Sequence, residues 1–206
     1  MTALAGESLA RPRPDSRRYV RVAWLLAGLG GVALSRAAAN GNGAPSAFGA
    51  GAAFGAATLG LAWLDGWRPR IPAARGLAVS LAVGLAGGLV LVALPELTGG
   101  GGAIGLGMRP QPFAAWVLVT LLVSAGEEVL IRGALLDAVE AAFGLPVAIG
   151  LSGLAFALVH APLYGWGVLP LDLAAGVWLA GLRLTGGGLA APIVAHALAD
   201  LASWWL

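Results

Sequence analysis

The chain contains no cysteine, no lysine and only two histidines among its 206 residues. Without cysteine there can be no disulfide, no iron–sulfur cluster and no Cys-bound zinc. Charge is scarce as well. Charged residues make up 11% of the chain, against roughly 25% in an ordinary soluble domain. Together with 59% hydrophobic residues, this excludes a soluble globular domain. It also excludes intrinsic disorder, which needs low hydrophobicity and high charge. A scattered net charge of +2 gives no footprint for nucleic acid. What is abundant is glycine, 33 residues, with no G-x-y period that would indicate collagen. The composition fits an all-α, polytopic transmembrane helix bundle in which Gly and Ala let helices approach closely.

The apolar runs divide this bundle. Residues 1–18, ending RPRPDSRR, read as a disordered Arg-rich tail. Apolar runs then cover about Val20–Leu34, Ala44–Leu64 and Leu77–Leu94. The Gly-rich stretch Pro95–Pro112 reads as a loop. A fourth run starts at Phe113, and others cover about Leu145–Val159, Leu169–Leu182 and Leu189–Leu206. That makes about seven spans, close to the ~20 residues a bilayer needs, two or three of them short. The chain therefore divides into the tail, N-terminal transmembrane helices with the Gly-rich loop (19–112), and a core of four helices at 113–206. The first run, followed by SRAAAN, also has the shape of a secretory signal peptide, but the spans that continue after it favour a first membrane helix. Arg11, Arg13, Arg17, Arg18 and Arg21 precede the first span, and Arg68, Arg70 and Arg75 separate the second from the third. The positive-inside rule puts both groups in the cytoplasm. The eight Trp read as interface anchors, and Asp172 and Arg183 as interfacial flanks of a short span.

A few charged or titratable residues sit inside apolar surroundings: Glu127, Glu128, Arg132, His160, His196 and Asp200. At membrane depth each is costly and by default functional. In VSAGEEVLIRG, Glu128 and Arg132 are four apart and can pair on one helix face. Glu127 lies about 100° round the helix, which leaves its carboxylate available. In FALVH, Phe156 sits one turn from His160 and packs against it. In HALAD, His196 and Asp200 are again four apart. FGLP at Phe143–Pro146 reads as a turn, with Glu127 and His160 about equally far from it, so an antiparallel hairpin brings them to one depth. Carboxylates and imidazoles gathered in a dry site suit a divalent metal, zinc by ligand type, with Glu127, His160 and His196 as candidate ligands. A metal-bound water, deprotonated by a free Glu, can attack an amide carbonyl.

EEVLIR (Glu127–Arg132), FALVH (Phe156–His160) and HALAD (His196–Asp200) fit, in order and spacing, the EExxxR, FxxxH and HxxxN motifs of a known family. Over about Trp116–Leu201 the sequence resembles the CPBP family of intramembrane metalloproteases, the CAAX-protease, bacteriocin-processing or Abi family, which includes the Rce1-type prenyl proteases. The resemblance implies that Glu127, with His160, activates a water for peptide hydrolysis. It implies that His196 and residue 200 serve the oxyanion site or a metal, with Glu128, Arg132 and Phe156 in support. It also implies a membrane-embedded or lipid-anchored peptide or protein as substrate: a prenylated tail, or in a bacterium a bacteriocin leader or membrane-protein tail. One departure stands out. Asp200 replaces the usual Asn, and an ionised Asp accepts hydrogen bonds but donates none. Asp200 could orient His196 or ligate a metal. It also admits a second reading, a non-catalytic scaffold or immunity protein that keeps the fold. The access face stays open at this level. Counting spans from a cytoplasmic N-terminus turns the site away from the cytoplasm, whereas an Rce1-like site should open toward it.

Overall fold

A computed structural model describes residues 16–40, 44–69, 73–97 and 112–205. Among the described residues there are seven principal helices and no strand. They are α1 (Ser16–Asn40), α2 (Ala44–Leu64), α3 (Ala74–Leu97), α4 (Phe113–Phe143), α5 (Leu145–Tyr164), α6 (Leu169–Thr185) and α7 (Ala190–Ala202). A 3₁₀ turn, Trp166–Val168, leads into α6. Five helices are long and apolar enough to cross a membrane, and two are shorter apolar helices. The chain is a polytopic helical membrane protein.

Several expected boundaries move. The tail ends earlier than residue 18, because α1 starts at Ser16. Arg18 is held in the helix by donating to the Ala141 carbonyl at 2.9 Å, in the last turn of α4, where a cation meets the helix's negative end. The first helix also outruns Leu34 by six residues. Helix α3 continues through Pro95 to Leu97, because a proline removes only its own N–H and the turn beyond it can still close. The rest of the tail (1–15) and of the Gly-rich stretch (98–111) lies outside the described residues. The last helix stops at Ala202 and is followed by a turn, Ser203–Trp205. Its 13 residues span about 20 Å at 1.5 Å per residue, well short of a ~30 Å hydrocarbon core.

Small residues set the close crossings. Gly84 and Gly88 of α3 lie against Ala191 and Ala195 of α7 so tightly that an added Cβ would stand 2.6 Å from the Ala191 carbonyl and 3.0 Å from Ala195 Cα. This is the small-xxx-small contact of membrane helices. Ser80 of α3 accepts the Ala191 N–H at 3.0 Å, so α3 caps the N-terminus of α7 from outside that helix. Gly153 of α5 meets Gly176 of α6, and Gly55 of α2 meets Leu122 and Gly126 of α4. The turn between α4 and α5 is the single residue Gly144, at φ 87°, a conformation that only glycine adopts cheaply. It falls within the expected FGLP turn.

The two ends of the bundle differ. One end gathers the start of α1, the α2–α3 connection, the α4–α5 turn and the end of α6. Arg21 of α1 pairs with Asp65 (2.9 and 3.0 Å), Trp67 donates to Asp137 at 2.8 Å, and Arg183 also pairs with Asp137. The other end holds the C-termini of α1, α5 and α7. There Phe113 and Trp116 of α4 pack on Trp204 and Trp205 in an aromatic cluster, with ring centroids 4.7–6.0 Å apart. The apolar core, including Leu25, Leu130, Ile131, Leu135 and Leu179, fills the space between.

Candidate active site

The polar groups collect where this core gives way, toward the end with the aromatic cluster. Helix α4 is α-helical to Glu127, π-helical over Glu128–Leu135, and α-helical again to Phe143. Such wide turns often mark functional sites. Here the change begins between the two carboxylates.

Glu128 and Arg132 are both fully buried and pair at 2.8 Å, as the i,i+4 spacing predicts. Arg132 also donates to the Gly176 carbonyl at 3.1 Å, and its guanidinium lies 4.4 Å over the Phe156 ring. Gly176 can offer that carbonyl because it meets Gly153 backbone to backbone. The pair thus ties α4, α5 and α6 together. Glu128 has a second task. Its Oε1 accepts from His196 Nδ1 at 2.9 Å, which fixes the imidazole of α7 and turns Nε2 toward the remaining carboxylates. Nε2 lies 3.7 Å from Glu127 Oε2 and 3.5 Å from Asp200 Oδ2.

Glu127 is the available carboxylate. It is fully buried, and neither of its oxygens has a hydrogen-bond partner among the described residues. Its nearest charged neighbours are His196 Nε2 and Arg36 Nη1, each 3.7 Å away.

His160 stands further out. Its Nδ1 donates to the Phe156 carbonyl at 2.9 Å and is 4.0 Å from Asp172 of α6. Its ring packs on Phe156 at 4.5 Å and stacks on Tyr164 at 5.9 Å. Phe156 also touches His196 edge-on at 5.3 Å, so this one ring spaces both imidazoles. Asp200 is the outermost acid, with 38% of its side chain exposed, and it accepts the Ser124 hydroxyl at 2.8 Å.

The structure therefore gathers Glu127, Glu128, Arg132, His196 and Asp200: Glu128 bonds to Arg132 and His196, and Glu127 and Asp200 approach His196 Nε2 at 3.7 and 3.5 Å. It joins His160 to them through Phe156. Three participants escape a reading of motifs. Arg36 follows Val22, Leu25, Leu29 and Ala33 on the buried stripe of α1, at the helical spacing those residues set. Extending that stripe by one more turn would have found it. Asp172, expected at the interface, faces His160, and Ser124 binds Asp200. Neither has a local signal.

The donor types suit a divalent metal. Glu127 is buried and uncommitted, and each imidazole is anchored through Nδ1, the arrangement that orients a metal-binding ring. As placed, however, no three His, Asp or Glu side chains among the described residues form a group that could hold a metal ion.

Residues 109–202 match a family model described as type II CAAX prenyl endopeptidase Rce1-like. No curated protein and no solved structure matches the chain significantly.

Proposed function

We propose that this chain, whose residues 109–202 match an Rce1-like family model, is an intramembrane endopeptidase that cuts membrane-anchored peptides or proteins. The observation that carries this reading is Glu127: a fully buried carboxylate with no hydrogen bond among the described residues, set between an arginine and an imidazole. A group so costly to bury needs a use, and accepting a proton from water is one.

In this reading Glu127 takes a proton from a water molecule. The water oxygen adds to the scissile carbonyl carbon, and the C=O π pair moves onto oxygen. When that pair returns, the C–N bond breaks. The proton held by Glu127 passes to the departing nitrogen, giving a carboxyl and an amine. His196 has its ring fixed by Glu128, and Nε2 faces the water side of Glu127. His160, at the mouth beside Asp172 and Tyr164, positions the peptide as it enters. Glu128 and Arg132 hold the geometry. To hold a divalent metal, zinc by ligand type, Glu127, His160 and His196 would have to draw closer together than they stand; such a metal would supply a water of lowered pKa. Short α7 and half-exposed Asp200 favour a substrate that reaches the site from near the bilayer surface.

The test is cleavage in proteoliposomes of two quenched fluorescent reporters, a farnesylated peptide ending in a CAAX sequence and an unprenylated single-span peptide. Wild type is expected to cut at least one. Glu127→Gln should reduce turnover by about 10²–10⁴-fold, the usual worth of a general base. Equal cleavage by wild type and Glu127→Gln would overturn the reading. The scaffold alternative, favoured only by Asp200, requires that Glu127→Gln and His196→Ala keep full function in cells.

A further inference from the structure

Hydrolysis at Glu127 needs a donor for the oxyanion, and residue 200 is a poor one. Asp200 accepts the Ser124 hydroxyl and faces His196 Nε2, so its oxygens are already directed at donors. Tyr164 is also at the mouth, but it is 64% exposed and stacks flat on His160. Arg36 is different. It occupies an apolar stripe of α1, with 15% of its side chain exposed. The Phe54 ring of α2 lies under its guanidinium at 4.7 Å and fixes the plane of the fork. Among the described residues its Nε is buried without a hydrogen-bond partner, and Nη1 stands 3.7 Å from Glu127, too far for a hydrogen bond. Arg132 also has an unpartnered Nε, but its Nη1 and Nη2 bond closely to Glu128 and Gly176. A buried guanidinium ordinarily satisfies its donors with short, often bidentate bonds. Arg36 keeps its Nε–H uncommitted among the described residues, beside the carboxylate read above as the general base.

We propose that Arg36 is a catalytic residue that donates to the oxyanion, a role for which the chain recruits α1, outside the Rce1-like segment. This rests on the peptidase reading above. As the water oxygen adds and the π pair moves onto the carbonyl oxygen, the guanidinium N–H groups take the developing charge. They release it when the pair returns and the C–N bond breaks, with the proton passing from Glu127 to nitrogen. A preorganised donor in a dry site acts on the transition state far more than on the bound substrate.

The experiment uses the full chain in proteoliposomes with whichever reporter wild type cuts, and a phosphinate peptide in which a tetrahedral anion replaces the mapped scissile amide. Arg36→Met should lower kcat by about 10²–10³-fold, the cost of losing one oxyanion donor. KM should stay within about threefold, the pattern of an interaction made only in the transition state. Phosphinate affinity should fall while affinity for the parent peptide holds. Arg36→Lys should recover part of kcat. Arg36→Met that folds and keeps wild-type kcat, or that raises KM alone, overturns the proposal. So does unchanged phosphinate affinity. If Arg36→Met does not fold, Arg36→Lys decides: lowered kcat at constant KM supports the role, and wild-type kcat overturns it. A wild type that cuts neither reporter overturns the peptidase reading itself, which the Glu127→Gln comparison identifies separately.

Discussion

Removing Arg132 should destabilise the bundle far more than removing both members of its pair. Arg132 is fully buried and makes three contacts: a charge-assisted hydrogen bond to Glu128 (2.8 Å), a bond to the Gly176 carbonyl (3.1 Å) and a cation–π contact with Phe156 (4.4 Å). A hydrogen bond to a charged partner is worth about 1.5–3 kcal/mol and a neutral one about 1. A desolvated cation–π contact adds about 2 kcal/mol. Against this stands the cost of keeping a guanidinium out of water, so the net falls near the ~3–5 kcal/mol typical of breaking a buried ion pair from one side. In Arg132→Met, Glu128 keeps only the His196 Nδ1–H, and its other oxygen already lacks a partner. With about 2–4 °C per kcal/mol for a chain of this size, thermal unfolding in detergent should drop by roughly 6–20 °C. Glu128→Gln with Arg132→Met should recover much of that loss, because no charge is left orphaned. The coupling is read from a double-mutant cycle. A single-variant cost below about 1 kcal/mol, or strict additivity, would refute the view that this pair fastens α4 to α5 and α6.

Other consequences can be checked directly. Gly176→Ala places a Cβ 2.8 Å from Gly153 Cα, against backbone that cannot yield, and should cost about 1–3 kcal/mol, whereas Gly181→Ala on the same helix meets open space. Equal thermal stability of the two variants would sink this packing argument. Ser80→Ala removes the acceptor for the first-turn N–H of Ala191 and should cost about 1 kcal/mol, with faster amide exchange confined to the start of α7. The positive-inside rule predicts that the end bearing Arg18, Arg21 and Arg68 faces the cytoplasm and the end bearing the site faces the opposite side. The chain has no cysteine, so single Pro69→Cys and Trp166→Cys variants should react with impermeant thiol reagents from opposite faces of the cell membrane. Labelling of Trp166→Cys from the cytoplasm would reverse the orientation.

The sequence conveyed what is local. Long Ala/Leu/Gly runs marked the helices, and three short motifs marked Glu127, His160 and His196, because side chains four apart share a face whatever surrounds them. The Glu128–Arg132 pair and the packing of Phe156 on His160 were legible for the same reason. Glu127 and His160 share the α4–α5 hairpin as the turn arithmetic required, but the hairpin does not put them in contact, since Phe156 stands beside His160 and directs it to Asp172. What depends on distant segments was not legible. Arg36 reads as the far flank of a first span until α1 is seen to run on to Asn40 against the site. Asp137 looks like an ordinary helix-surface acid, yet it joins Trp67 of the α2–α3 connection to Arg183 of α6. The π-helical stretch has no pattern of its own, because it results from packing on two sides at once.

That stretch has a mechanical consequence. On one side of it, Gly126 is wedged against Gly55 and fixes the rotation of the first half of α4. On the other, Leu136 and Val139 lock the second half into the core. The wide turn between them sets the rotation of one half relative to the other. Glu127 stands at this seam, so its direction is an angle clamped from both ends. Shortening the seam by one residue would turn the two halves of α4 by about 100° relative to each other, so Glu127 and the core face of the second half could not both keep their places.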